Sequence, residues 1–140
     1  MIFDLTARIQ NAYLARHTSF DALYGNFAIA VLKKLQQRKY IKSYEIVNYD
    51  KVKKGIHVNL YYKNNFPIIR KINVVSKPSK KVYIKKKDFI KLNHRNNLHM
   101  DNLISTSKGL LWLEEAVAKQ LGGEIVLTTM LNYKAFQDRR

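Results

Sequence analysis

"IHVNLYYK", residues 56–63, is the stretch that decides the fold. Ile56, Val58, Leu60 and Tyr62 alternate with His57, Asn59, Tyr61 and Lys63, the two-residue period of a strand with one buried face. Strand-like patterns flank it, "SYEIVNYD" (43–50) upstream and "IIRKINVVS" (68–76) downstream. The connections are also legible. Asp50 to Gly55 is a lysine-rich turn, and "NNFP" (64–67) places two asparagines, which tolerate positive φ, before Pro67.

Helices precede and follow these strands. Ile2, Leu5, Ile9, Ala12 and Leu14 outline one helix face over residues 3–16. "HTSF" (17–20) breaks it, and Ser19 or Asp21 is expected to cap a second helix running to about Lys39, with Leu23, Phe27, Ala30, Val31 and Leu35 at helical spacing. Later, "KVYIKKKDF" (81–89) predicts a short strand entering a turn or short helix, residues 91–102 a loop, and Leu103–Thr106 a strand. Glu114–Leu121 reads as a helix stopped by Gly122 and Gly123, and "EIVLTTML" (124–131) as a final strand. The class is α+β, with a boundary near residues 64–67 and no internal repeat.

With 140 residues, 46% of them hydrophobic, the chain can bury the core of one ordinary domain or two small ones. The absence of cysteine excludes disulfides and thiolate metal sites. No apolar run is long enough to span a membrane. The net charge of +16 is the strongest bulk signal. Between Lys33 and Arg95 lie nineteen basic and three acidic side chains, which is the whole surplus; the remainder holds seven of each. A field of that size points to a polyanion. The basic residues are interleaved with strands instead of lining a helix face, which favours nucleic acid over a membrane surface. The opening "MIFDLTARIQNAYLAR" carries arginines on an amphipathic pattern, yet Asp4 and the lack of a small-residue cleavage site identify it as the first helix of the fold and not an organelle presequence.

"STSKG" (105–109) sets three hydroxyls, a lysine and a glycine between two apolar anchors, Leu103-Ile104 and Leu110-Leu111-Trp112. Short hydroxyls donate and accept, so Ser105, Thr106 and Ser107 suit the 2′-hydroxyls, phosphates and base edges of a shallow RNA minor groove, with Lys108 as a phosphate partner. Gly109 lets the backbone turn before the last helix. The alternative is an ordinary turn or cap, since serine and threonine are common there.

These residues carry a family resemblance. "ISTSKG" followed after a helix by "GGEIV" resembles the C-terminal signature of the small-subunit ribosomal protein eight family, of bacterial and organellar type. "DLTARIQNA" (4–12) is similar to that family's opening helix, "LYYKNNFPIIRKINVVSKP" (60–78) to its central hairpin and turn, and "VYIKKKDF" to its aromatic-basic segment. The resemblance covers about residues 3–128. It implies an N-terminal αβαββ unit (1–66) packed on a C-terminal mainly-β unit with a short helix that binds ribosomal RNA (67–130), then a tail (131–140). It further implies a structural constituent of the small ribosomal subunit, a primary binder of a hairpin stem in the central domain of small-subunit ribosomal RNA, working in translation beside neighbouring small-subunit ribosomal proteins.

By position, Ser105, Thr106 and Ser107 become the groove-facing hydroxyls, with Lys108 beside them. The resemblance also makes Tyr83 a stacking or hydrogen-bonding contact, Glu124 a polar contact beside the same loop, and Ser76 and Lys77 neighbours of the backbone-contacting surface. Charge alone adds Lys33, Lys34, Lys51, Lys53 and Lys54. The departures are Ser79 after Pro78 where the family has glycine, "NHRNNLHMDN" before the serine loop, and Trp112-Leu113 where a capping Thr-Asp is usual. Among the aromatics near lysines, Tyr40, Tyr44, Tyr61 and Tyr62 read as strand residues with a wet hydroxyl, and Tyr83 as the strongest stacking candidate.

An enzyme is not expected. His94, His99 and Asp101 are close in sequence but match no metal-ligand geometry, and the adjacent Glu114 and Glu115 point in different directions on a helix. Accordingly no catalytic residue, metal, cofactor, small-molecule substrate or membrane partner is expected. The competing reading is a free-standing basic RNA- or DNA-binding chaperone or regulator. The Lys, Asn, Ile and Tyr bias suggests an AT-rich coding genome, which with no presequence fits a mitochondrial ribosome, and also a plastid or an AT-rich bacterium.

Overall fold

A computed structural model describes residues 2–75, 83–85, 87–88 and 100–132, without the side chains of Ile2, Phe3 and Ile84. The chain forms two compact units, one of residues 2–70 with Asn132 and one made from residues 71–131. The first is αβαββ in order, and the second is mainly β with one short helix.

In the first unit, α1 (Ile2–Leu14) buries Leu5, Ile9, Ala12 and Tyr13. Leu14 was expected on that face and is 72% exposed instead. Five residues beyond Ile9 it is rotated well away from the stripe, whereas Tyr13, four beyond, falls on it.

Residues Ser19–Leu23 are strand β1, not the start of the second helix. The helical spacing assigned to Leu23 and Phe27 misled, because both side chains are exposed. Helix α2 begins at Asn26, after an extended Gly25 with no side-chain cap, and runs to Gln37 on Ala28, Val31, Leu32 and Leu35. Strands β2 (Ser43–Asn48) and β3 (Lys54–Asn59) complete an antiparallel sheet of order β1-β3-β2. The alternation around residue 56 holds there, with Ile56 and Val58 buried and His57 and Asn59 on the other face. The strand stops at Asn59, where Leu60 N–H turns to the Thr18 carbonyl.

A two-residue hairpin of β4 (Tyr62–Lys63) and β5 (Phe66–Pro67) follows. Its turn residues Asn64 and Asn65 have φ of 54° and 65°, the primed turn that matches strand twist.

Both helices of this unit end without glycine. Arg16 and Lys39 take φ of 57° and 61°, and the following His17 and Tyr40 N–H groups reach back to the Ala12 and Leu35 carbonyls. The second reversal buries Tyr40 and Ile41, so Tyr40 is a core residue and not a strand aromatic with a wet hydroxyl.

The Tyr13 hydroxyl then joins three segments. It donates to the Tyr40 carbonyl at 2.6 Å and accepts the Tyr61 N–H at 3.2 Å, while its ring meets Tyr62 edge-on at 5.6 Å. Burial pushes the Tyr13 hydroxyl far above the ordinary tyrosine range.

The second unit is a five-stranded sheet from β6 (Ile69–Val74), β7 (Tyr83–Ile84), β8 (Met100–Thr106), β9 (Gly109–Trp112) and β10 (Gly123–Leu131), with β6-β10-β8-β9 as its path and β7 also on β10. Strand β6 starts in the first unit and ends in the second. Strand β8 begins at Met100, before the expected Leu103, because Asn102 and Asp101 continue the ladder with Thr128 and Thr129. Ile104, Leu111 and Ile125 pack on Leu113 and Ala116 of α3 (Leu113–Ala118). The expected stop at Gly122-Gly123 comes earlier. Gln120 at φ 56° ends the helix, and Leu121 N–H closes onto the Ala116 carbonyl. Residues 91–99 and 133–140 lie outside the described residues.

Replacing Tyr13 by Phe leaves a buried carbonyl and N–H without their shared partner. Stability measured by urea unfolding should fall by about 1–3 kcal/mol. Because the folded pKa is raised, the wild-type contribution is complete below pH 10.0, the unfolded tyrosine value, and is lost as pH rises beyond it. Tyr13→Phe should therefore lose stability less steeply than wild type above that pH.

Candidate nucleic-acid interface

The hydroxyl stretch is the tip of a β-hairpin and not a loop entering the last helix. Strands β8 and β9 pair Ser105 with Leu110 and Thr106 with Gly109, leaving Ser107 and Lys108 as the two turn residues. Neither has positive φ; Gly109, at 99°, supplies the turn's one residue of that kind, so its conformational freedom acts inside the hairpin.

The three hydroxyls are not equivalent. Thr106 Oγ1 accepts the Lys108 N–H at 3.1 Å and donates to the Gly109 carbonyl at 2.8 Å, so it holds the turn. The Ser105 and Ser107 hydroxyls make no side-chain hydrogen bond among the described residues. Ser107 and Lys108 are exposed, and Ser105 is half-buried.

Strand β10 brings further sequence-predicted residues to this hairpin. Glu124 stands directly opposite Ser105 on one side and Tyr83 on the other. Direct cross-strand partners share a face, so Tyr83, Glu124 and Ser105 form one row across β7, β10 and β8. Tyr83 is 67% exposed at one end of the row, and Leu110 of β9 stands at the other.

Gly123 permits this arrangement. A Cβ on it would stand 2.2 Å from the Ser105 carbonyl oxygen, inside any permitted contact, so the strands approach only because that atom is missing. Gly123 is thus required by close approach, not as a helix stop.

Below the row, a register shift between Ile125 and Leu127 restores pairing of Leu127 with Leu103. Buried polar groups flank that region. The Thr128 hydroxyl donates to Asn102 Oδ1 at 2.7 Å. The unusual Trp112 at the start of α3 is buried, and its backbone N–H donates to Glu115 Oε1 at 3.1 Å. Glu115 therefore supplies the carboxylate half of a capping box, while an indole has no acceptor to supply the other half.

Lys33 is exposed and Lys34 half-buried on α2, and Lys51, Lys53 and Lys54 are exposed at the β2–β3 turn, all in the first unit. Ser76 and Lys77 fall outside the described residues, as do His94 and His99 of the discarded metal reading. Among the described residues no cluster of three or more His, Asp or Glu could hold a metal. Glu114 and Glu115 occupy the first turn of α3, where they favour the helix dipole. The sequence reading overlooked Tyr24, Tyr49 and Arg8, which gather near the lysine turn. One signal was present, the spacing that places Tyr49 and Gly55 at opposite ends of a tight turn.

Comparison with known proteins now places the chain. The family model described as ribosomal protein S8 matches residues 1–129. The chain is 33% identical over 129 residues to the small ribosomal subunit protein uS8 of Aliarcobacter butzleri, covering 91% of this chain and 96% of that protein. It is 37% identical over 130 residues to the protein of the same name from Nitratiruptor, covering 90% and 94%. The Mycoplasmopsis synoviae protein of that name is 34% identical over 125 residues, covering 89% and 92%. A match across nearly the whole length, on a chain with the αβαββ order and the hydroxyl hairpin described above, leaves one assignment: the chain belongs to the ribosomal protein S8 family.

Proposed function

We infer that this chain is a structural constituent of the small ribosomal subunit that binds, as a primary RNA-binding protein, a hairpin stem in the central domain of its ribosomal RNA. Its family consists of structural ribosomal proteins and not enzymes. The observation that carries the RNA reading is the row Tyr83–Glu124–Ser105 beside the turn Ser107-Lys108.

That row offers an exposed aromatic ring, a carboxylate and one small hydroxyl on one sheet face, with the exposed Ser107 hydroxyl in the adjoining turn. A wide, shallow RNA minor groove presents 2′-hydroxyls and base edges to such short donors and acceptors. A carboxylate suits exposed amino groups and disfavours phosphate, which orients the row toward bases and sugars. Lys108 supplies the phosphate contact at the tip. Thr106 contributes by shaping the turn, and Ser105 and Ser107 carry the hydroxyl contacts. The stem grip belongs to the C-terminal unit. Lys33, Lys34, Lys51, Lys53 and Lys54 of the N-terminal unit neutralise phosphates, Ser76 and Lys77 add to the backbone contact, and neighbouring small-subunit proteins complete the setting. The reported relatives are bacterial. The AT-rich bias of the sequence supports a mitochondrial ribosome as this chain's location, with a plastid or an AT-rich bacterium as the alternatives.

The competing reading is a free-standing regulator that binds RNA or DNA generically. A titration of the central-domain stem against a length-matched plain duplex, over a salt series, separates them. A stem preference of about a hundredfold or more that persists at moderate salt is expected. Equal binding to both, falling steeply with salt, would leave only a generic basic protein.

Replacing Ser105 and Ser107 together by Gln should weaken stem binding by about tenfold or more, the worth of one or two polar hydrogen bonds, with an unchanged unfolding midpoint. Unaltered stem affinity in the folded double variant would remove the hydroxyls from the interface. Replacing Lys51, Lys53 and Lys54 by Gln should reduce the dependence of log K on log salt by about one per lysine, for all sequences alike. An unaltered slope would place that turn away from RNA.

A further inference from the structure

In the first unit, the end of the sheet that carries the β2–β3 turn opens into a groove of about 770 Å³. Arg8 of α1, Tyr24 after β1, and Tyr49, Val52 and Lys53 of the turn line it. It presents apolar surface to water: Val52 is 87% and Tyr49 56% exposed.

The aromatic groups are held in place. A Cβ on Gly55 would stand 2.4 Å from Tyr49 Cε2, so the missing side chain is the seat on which that ring lies. The turn beneath it is fixed by Tyr49 N–H to the Lys53 carbonyl at 3.0 Å, and by Val52 N–H to Asp50 Oδ1 at 3.0 Å. Lys54 Nζ stands 5.5 Å from the centroid of the Tyr24 ring.

The charge is mostly of one sign. Arg8, Lys53 and Lys54 line the groove against one carboxylate, Asp21. His57 Nδ1 contacts that carboxylate at 2.8 Å, and Arg8 is tied to Asp4 and to the Asp21 carbonyl, each at 2.9 Å.

We propose that this groove takes an unpaired stretch of RNA, with Tyr49 and Tyr24 stacking on bases and Arg8, Lys53 and Lys54 meeting the flanking phosphates. The inference rests on the RNA-binding reading of the chain and adds a single-stranded ligand to it. Exposed rings on fixed backbone beside cations are the composition of a single-strand platform, which tolerates any base because every base has a π-face. An acidic protein segment would meet the same cations. Added as a strand along β1, however, it would compete with Arg8 for the Asp21 carbonyl, and it would leave the rings without flat partners.

The test uses the full chain and a single-stranded RNA of about ten nucleotides containing 2-aminopurine, beside the stem RNA of the previous section. The wild type should quench the 2-aminopurine on binding. Tyr49→Ala should lose about tenfold in affinity for the single strand and lose the quenching, Tyr49→Phe should retain both, and stem affinity should not change in either variant. Gly55→Ala, which unseats the ring while keeping every charge, should behave like Tyr49→Ala. Thermal melting confirms that each variant folds. Unchanged single-strand affinity in folded Tyr49→Ala and Gly55→Ala, or no quenching by the wild type, overturns the proposal while leaving the stem reading intact. A glutamate-rich peptide that displaces the single strand, and itself binds Tyr49→Ala less tightly, gives the groove to a protein segment and equally overturns it. Failure of the stem preference with these single-strand effects present defeats the stem reading alone and supports the groove.

Discussion

The second unit depends on an absent atom. Because residue 123 has no Cβ, β10 can approach the Ser105 carbonyl closely enough for Glu124 to stand between Ser105 and Tyr83. Any side chain at that position would force the strands apart where the polar row is built, and the packing of Ile104 and Ile125 on α3 lies one residue further along the same strands. A single steric allowance thus sets both the polar face and the edge of the apolar core behind it.

The hydroxyl hairpin shows how a short polar run divides its work. Thr106 uses its donor and one acceptor inside the turn, which fixes the backbone that carries Ser107 and Lys108. Its neighbours are left to face outward. The first unit applies the same economy with aromatics. Tyr13 is buried and holds three segments together through one hydroxyl, whereas Tyr49 is held against a glycine and stays exposed. In each unit a well-fixed backbone presents a few side chains at the surface, Ser107 and Lys108 at the hairpin tip of one and Tyr49 at the lysine turn of the other.

The sequence was misleading where tertiary contacts overrode a local pattern. Ser19 and Asp21 have cap chemistry, and Leu23 and Phe27 have helical spacing, yet residues 19–23 pair with β3 because that is where Ala22 is buried and where β3 gains its second neighbour. The helix ends were hidden for a different reason. Arg16, Lys39 and Gln120 adopt positive φ without being glycine or asparagine, a local cost that the reversing chain offsets through backbone hydrogen bonds and, after Lys39, the burial of Tyr40 and Ile41.

From sequence alone came the α+β class, the strand at residue 56 with its inward and outward faces, the asparagine turn and the concentration of charge. Each rests on interactions between near neighbours, so a linear pattern suffices to show it. The tertiary structure decided that "STSKG" is a hairpin tip, that Thr106 serves the turn, that Tyr83 and Glu124 align with Ser105, and that Tyr49 sits on Gly55 beside Lys53 and Lys54. Those facts depend on strand register and on the spacing between backbones. A shift of one residue in register would turn every side chain to the opposite face without altering a letter of the sequence.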